Sequence, residues 1–134
     1  AVKEGQVVVF ESTVELNKRY VKRVIAKGPA STGDNTVGAA GKDDSTAQPT
    51  RVRFDQGRVY VNNHKQDEPY LTEEAQNVDE TLPERKVGAD EYYVLGDNRS
   101  VSKDSRVFGG VHERQIVGTA FFRFWPLNSF GPLR

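Results

Sequence analysis

The chain has no cysteine and no methionine, only two histidines and a single tryptophan, and its 19 basic side chains balance its 19 acidic ones. Without cysteine there are no disulfides and no thiolate metal sites. Two histidines are too few for a His-rich metal centre. Neither His64 nor His112 sits in a recognisable pattern, so both read as surface residues. A Ser-His-Asp triad survives on count alone. The zero net charge lacks the basic footprint with which nucleic-acid binders neutralise phosphates. No apolar run approaches the roughly 20 residues of a membrane-crossing helix, and no basic–apolar–small leader opens the sequence. The beginning at Ala1-Val2-Lys3, with no methionine anywhere, reads as an excised piece of a longer protein.

What is present is β-forming. The length of 134 residues suits one domain, 1–134. Runs rich in Val, Ile, Tyr and Phe occur at Val7–Phe10, Tyr20–Ala26, Arg51–Phe54, Arg58–Val61, Tyr92–Leu95 and Ile116–Trp125. Arg51-Val52-Arg53-Phe54 alternates polar and apolar, and Asp55-Gln56-Gly57 links it to Arg58–Val61 as a hairpin. Asn62-Asn63 ends that strand in a turn. Glu73–Glu80 supplies a helical turn or two at most. Residues 27–50, dominated by Gly, Ala, Ser, Thr and Asp, read as a mobile insertion with little to bury. Thr72–Lys86 is charged and reads as a surface excursion. The expected fold class is all-β, antiparallel, with long loops.

Two segments carry chemistry. The first is Gly96-Asp97-Asn98-Arg99-Ser100-Val101-Ser102-Lys103-Asp104-Ser105-Arg106. Its acids and arginines can lock a polar loop through charge-assisted, often bidentate hydrogen bonds. On composition alone it is a braced turn at a sheet edge. The second is Tyr20-Val21-Lys22-Arg23-Val24-Ile25. Side chains alternate along a strand, so Lys22 shares its face with Tyr20 and Val24. If that face is buried, desolvation favours a neutral amine, which can act as a general base. Taken singly, a strand lysine more often packs its stem and sends its head to water.

Together, in this order, the two segments resemble the type I signal peptidases. That family carries a Tyr-x-Lys-Arg-x-Ile block, a Gly-Asp-Asn-Arg-x-x-Ser-x-Asp-Ser-Arg loop and a Gly-x-x-x-x-Arg-x-Trp-Pro tail. The tail here is Gly118–Pro126. Val59–Asn62 with Asp67–Leu71 resembles the family's central hairpin, and Gly5–Phe10 the strand before the lysine block. The resemblance implies a signal-peptidase-like β fold. It implies an endopeptidase that removes signal peptides from exported preproteins, cutting after a small-x-small sequence. No cofactor or metal is implied, and no nucleic-acid partner.

The roles it implies fall on particular residues. Lys22 is the general base of a Ser-Lys dyad, and Ser102 orients its amine. Asp104 and Arg106 brace the loop. Asp97 pairs with Arg23 and ties the loop to the lysine strand. Asn98, Arg99 and Ser105, with Gly96, complete the bracing. Tyr20 and Val21 wall the substrate pocket. Membrane lipid is an expected partner, through an anchor preceding this sequence and through Trp125 and Phe130 at the interface. The catalytic domain is expected on the extracytoplasmic face of the membrane.

The sequence departs from the family pattern in three places. The nucleophile block, Ser-Met-x-Pro-Thr, is absent; it precedes the Gly5 strand in the family, so these residues alone are expected to be inactive. Thr46-Ala47-Gln48-Pro49-Thr50 imitates it, but after the lysine block instead of before it. The family's Leu-Pro-Gly-Asp turn is replaced by the insertion, with Gly33-Asp34 as its remnant. Two other readings compete. A self-cleaving repressor-type Ser-Lys peptidase needs a DNA-binding segment and an Ala-Gly cleavage site, and neither is here. A non-catalytic scaffold of the same fold would keep the frame and lack the serine.

Overall fold

A computed structural model describes residues 2–12, 15–30, 49–101 and 103–120. Its longest strand is β2 (Arg19–Lys27), which pairs with β1 (Val7–Glu11) on one side and β7 (Glu91–Leu95) on the other. β-Branched and aromatic residues suit these central strands because they pack well on a pleated surface. The short β8 (Val111–His112) extends β7, and β9 (Ile116–Ala120) extends β1, giving a five-stranded sheet in the order β8-β7-β2-β1-β9. The second sheet orders β5 (His64–Lys65), β4 (Arg58–Val61), β3 (Thr50–Asp55) and β6 (Leu82–Val87). Every pairing in both sheets is antiparallel. The chain is all-β, with two one-turn helices, α1 (Glu73–Gln76) and α2 (Ser105–Phe108), as its only α-helical elements among the described residues.

The central strands β2 and β7 of the larger sheet are buried on both faces. Towards the small sheet they present Ile25, Ala26, Tyr93 and Leu95, which meet Val52, Phe54, Val59 and Val87. On the opposite face Val8, Phe10, Val24, Tyr92, Val94 and Val111 form a second cluster, with Phe108 of α2 packed against it. β7 serves both clusters by alternation, so its run Tyr92-Tyr93-Val94-Leu95 is continuously apolar. In β2 the pairing slips between Val24 and Ala26. That bulge lets the consecutive residues Ile25 and Ala26 both reach the inter-sheet core.

The β3–β4 hairpin turns on Gln56 and Gly57, both at positive φ, the two-residue turn whose twist matches the strands it joins. Glycine is required at the second position: φ is +83°, and a Cβ there would lie 1.9 Å from the Val78 carbonyl oxygen. Asn62 and Asn63, also at positive φ, make the next turn into β5.

Two readings change. Thr72–Lys86 is more than a surface excursion: Thr72 caps α1, and Leu82–Val87 is a strand paired with β3. That strand buries only Val87 fully and contains Pro83 on a sheet edge, so it carries no alternation to read. His112 is half-buried; its Nδ1 accepts from the Arg114 backbone N–H at 3.1 Å and caps a 3₁₀ turn at Glu113–Gln115. His64 is exposed, as expected of a surface residue. The strand expected at Ile116–Trp125 is described to Ala120. Most of the 27–50 insertion, residues 31–48, lies outside the described residues. Its two flanks meet, with the Thr50 hydroxyl donating to the Lys27 carbonyl at 2.8 Å.

Candidate active site

Lys22 lies in the middle of β2, opposite Val8 of β1, and is only 2% exposed. A strand lysine is buried here because β2 is covered on both faces. Its Nζ lies 5.6 Å from the centre of the Tyr20 ring, two residues along the same face. Desolvation pulls the Lys22 amine below the ordinary lysine value. The Asp104 carboxylate opposes that shift, the Arg106 guanidinium reinforces it, and Asp97 opposes it more weakly. Burial thus disfavours the charged form of this amine relative to an exposed lysine.

The loop after β7 supplies those pairs. Asp104 is fully buried and accepts from the Gly96 backbone N–H at 3.0 Å. It also caps α2 through the Arg106 N–H and takes the Arg106 side chain on both oxygens, Nε at 2.9 Å and Nη2 at 2.7 Å. Ser105, equally buried, accepts from the Val94 N–H at 2.8 Å, so the loop is stitched to β7 from within. Arg106 Nη1 donates to the Arg99 carbonyl at 2.9 Å and to Glu80 at 2.8 Å. Asn98 sits at the tip, where its Oδ1 accepts from the Ser100 hydroxyl.

Arg23, the neighbour of Lys22, points to the opposite face of β2. It meets Asp97 through two parallel bonds, at 3.0 and 2.8 Å. The planar guanidinium matches the carboxylate in this fork geometry. Its carbon also lies 4.0 Å from the centre of the Tyr70 ring. Arg99, with a side chain 3% exposed, forks onto Glu68 at 2.6 and 3.3 Å. Tyr70 in turn donates to Glu68 at 3.2 Å. Burial pushes the Tyr70 phenol well above the usual tyrosine range, so it stays a donor.

Tyr20 and Val21 are half-buried and leave β2 on opposite faces. The Tyr20 ring stacks with Phe10 and Phe108, centre to centre 5.9 and 6.0 Å. Its hydroxyl donates to Glu15 at 2.6 Å, and Lys103 reaches the other Glu15 oxygen at 3.0 Å. That bond raises the Tyr20 phenol and lowers the Glu15 carboxyl. Ser102, Trp125 and Phe130 lie outside the described residues.

Residues 47–125, spanning the small sheet, the braced loop and the tail, match the protein family described as signal peptidase, peptidase S26. The chain belongs to this family. It is 38% identical to signal peptidase IB of Staphylococcus aureus and 37% identical to a probable signal peptidase I-2 of Synechocystis, in each case over 96% of the chain. It spans 64% of the length of the first and 51% of the second. A crystal structure of a signal peptidase I from Enterococcus faecalis superposes with a TM-score of 0.64 at 25% identity, covering 90% of this chain and 97% of that one. The antiparallel architecture is therefore that of a solved signal peptidase.

Sequence reasoning found the loop and the lysine block but missed their supports. Glu68, Tyr70 and Glu80 come from the small sheet's connections, and Glu15 from the β1–β2 turn. The Glu68-Pro69-Tyr70 stretch carried family resemblance, yet nothing local shows what its side chains touch. Among the described residues, no helix is long and apolar enough to cross a membrane.

Proposed function

We propose that this chain carries the base and its frame for a Ser-Lys endopeptidase that removes signal peptides from exported preproteins. The observation behind this reading is a lysine 2% exposed, depressed by desolvation, and framed by paired Asp–Arg groups within a signal peptidase fold. Lys22 is the general base. Ser102 holds the amine in one rotamer. The nucleophile is a serine on the segment that precedes the Gly5 strand in the family's pattern.

The chemistry runs in two balanced steps. The serine hydroxyl oxygen attacks the scissile carbonyl while its proton passes to the Lys22 amine. The resulting ammonium gives that proton to the departing amine as the C–N bond breaks, leaving an ester. A water then attacks the ester and passes a proton to Lys22, which returns it to the serine oxygen as the acid leaves. Tyr20 and Val21, which leave β2 on opposite faces, wall separate shallow pockets for the small side chains. Trp125 and Phe130 meet membrane lipid, and the domain works on the extracytoplasmic face, held by an anchor outside these residues.

The test is cleavage of a fluorogenic signal-peptide substrate by the full-length protein in detergent. Cutting is expected after small-x-small. Lys22→Ala is expected to lower kcat by at least about 10⁴-fold, and Ser102→Ala to lower it less. A full-length protein that binds the peptide without cutting it overturns the enzymatic reading in favour of a scaffold.

A further inference from the structure

We propose that Glu68 is a positioning residue for the Lys22 amine: with Tyr70 it closes a ring of contacts that fixes strand β2 against the Gly96–Asp104 loop. Glu68 has this role in catalysis only if Lys22 is the base, as proposed above.

The ring can be followed contact by contact. Asp97 holds Arg23 in a fork. Arg23 lies on the Tyr70 ring at 4.0 Å. Tyr70 donates to Glu68, and Glu68 takes both terminal nitrogens of Arg99. Arg99 Nε donates to the Gly96 carbonyl at 2.9 Å, and Gly96 is bonded to Asp97. A closed circuit constrains its members more than an open chain of the same contacts, because no member can swing without straining two neighbours. The circuit grips the two elements that meet at Lys22. Arg23 is covalently next to the lysine on β2. Gly96 donates to Asp104, the carboxylate with the largest charge effect on that amine.

Opening the ring at Glu68 does not undo the fold. β2 keeps its pairing to β1 and β7, and the loop keeps its Asp104–Arg106 brace. What loosens is the placement of one relative to the other. A lysine has four side-chain torsions, so its amine is aimed by its surroundings, and misplacement by about 1 Å costs on the order of 10²-fold in rate. A looser fit between strand and loop also lets water closer to the Lys22 amine and weakens its desolvation. The charged and titratable groups bearing on Lys22 are Asp97, Asp104 and Arg106 from the loop and Tyr20 from its own strand.

The experiment uses the full-length protein with labelled lysine side chains. It compares Glu68→Gln and Tyr70→Phe with Glu84→Gln, an exposed control on the small sheet. Two readouts are taken: kcat and KM against pH, and the nuclear magnetic resonance titration of Lys22. Glu68→Gln is expected to lower kcat about 10- to 100-fold with KM within about threefold. Its acid limb and the Lys22 midpoint both move to higher pH. Tyr70→Phe moves the same quantities less, and Glu84→Gln moves neither. An unmoved Lys22 midpoint, or a kcat loss equal to the unfolded fraction, overturns the proposal. If Glu68→Gln does not fold, Tyr70→Phe decides: unchanged kcat and midpoint overturn it. If the parent cleaves nothing, the enzymatic reading falls, while the Lys22 titration still judges Glu68.

Discussion

The same device occurs twice in this molecule, once wet and once dry. On the outer face of the small sheet, Arg53 lies 4.1 Å over the Tyr60 ring and 3.9 Å from Asp55, with side chains 33% and 53% exposed. Beneath the lysine strand, Arg23 lies 4.0 Å over Tyr70 and 2.8 Å from Asp97, with side chains 12% and 9% exposed. The residue types match, but the dry set closes into a two-bond fork while the wet pair stays 3.9 Å apart. Water screens the first set, whose members compete with solvent for every bond. The second set has been stripped of water, so each charge depends on its partner. Composition cannot tell the two apart; burial decides which arginines are structural and which are merely tolerated.

The sharpest way to break that comparison is to remove the acid from each set. Asp97→Ala leaves a largely buried guanidinium without its fork and is expected to cost about 3–5 kcal/mol. Asp55→Ala is expected to cost no more than about 0.5 kcal/mol. Urea unfolding of both variants reads the difference as a shift in midpoint at constant slope. Equal shifts would mean that burial does not separate the two sets.

The same contrast explains what could be read from the sequence. Local features were legible: alternation in Arg51–Phe54, the Gln56-Gly57 and Asn62-Asn63 turns, and the doubly apolar β7. The loop was legible because its acids and arginines bond one another over a few residues, as Asp104 and Arg106 do. β6 was not legible. Pro83, Glu84, Arg85 and Lys86 form an exposed edge strand whose pairing is dictated by β3. Glu68, Tyr70 and Glu80 were not legible as site residues either. Their partners lie elsewhere in the chain, and only the packing of one sheet on the other brings them together.

The two regions are mechanically joined at Gly57, which offers a smaller test. The Gly57 N–H donates to the Glu80 carbonyl at 2.8 Å, and the Glu80 side chain holds Arg106. Gly57→Ala imposes positive φ on a residue with a Cβ and drives that carbon into the Val78 carbonyl. A cost of about 1–3 kcal/mol is expected. Part of it should vanish when Glu80→Gln is already present, because both changes act on the same 78–80 segment. A double-mutant cycle by urea unfolding measures the coupling, and strict additivity would show that the hairpin tip and the Arg106 brace are independent.

The smallest effect concerns the buried amine itself, and its sign runs against intuition. The folded state holds Lys22 below the ordinary lysine value, with desolvation as the main cause. Between the folded and unfolded titration points, the unfolded chain binds more protons than the folded one. Stability therefore rises with pH across that window. At lower pH the amine is charged in both states, and the full cost of burying it is present. Above the ordinary value of 10.5 it is neutral in both, and the cost is gone. Lys22→Met keeps the length of the side chain and removes the titration. It should abolish cleavage yet raise Tm by several degrees at neutral pH. That gain should shrink steadily as the pH is raised towards the ordinary lysine value. Thermal unfolding of both proteins across pH measures it directly. A gain independent of pH would mean that Met simply packs better. A loss of stability would mean that Lys22 is held as a paired cation, which would remove the base from the proposed mechanism.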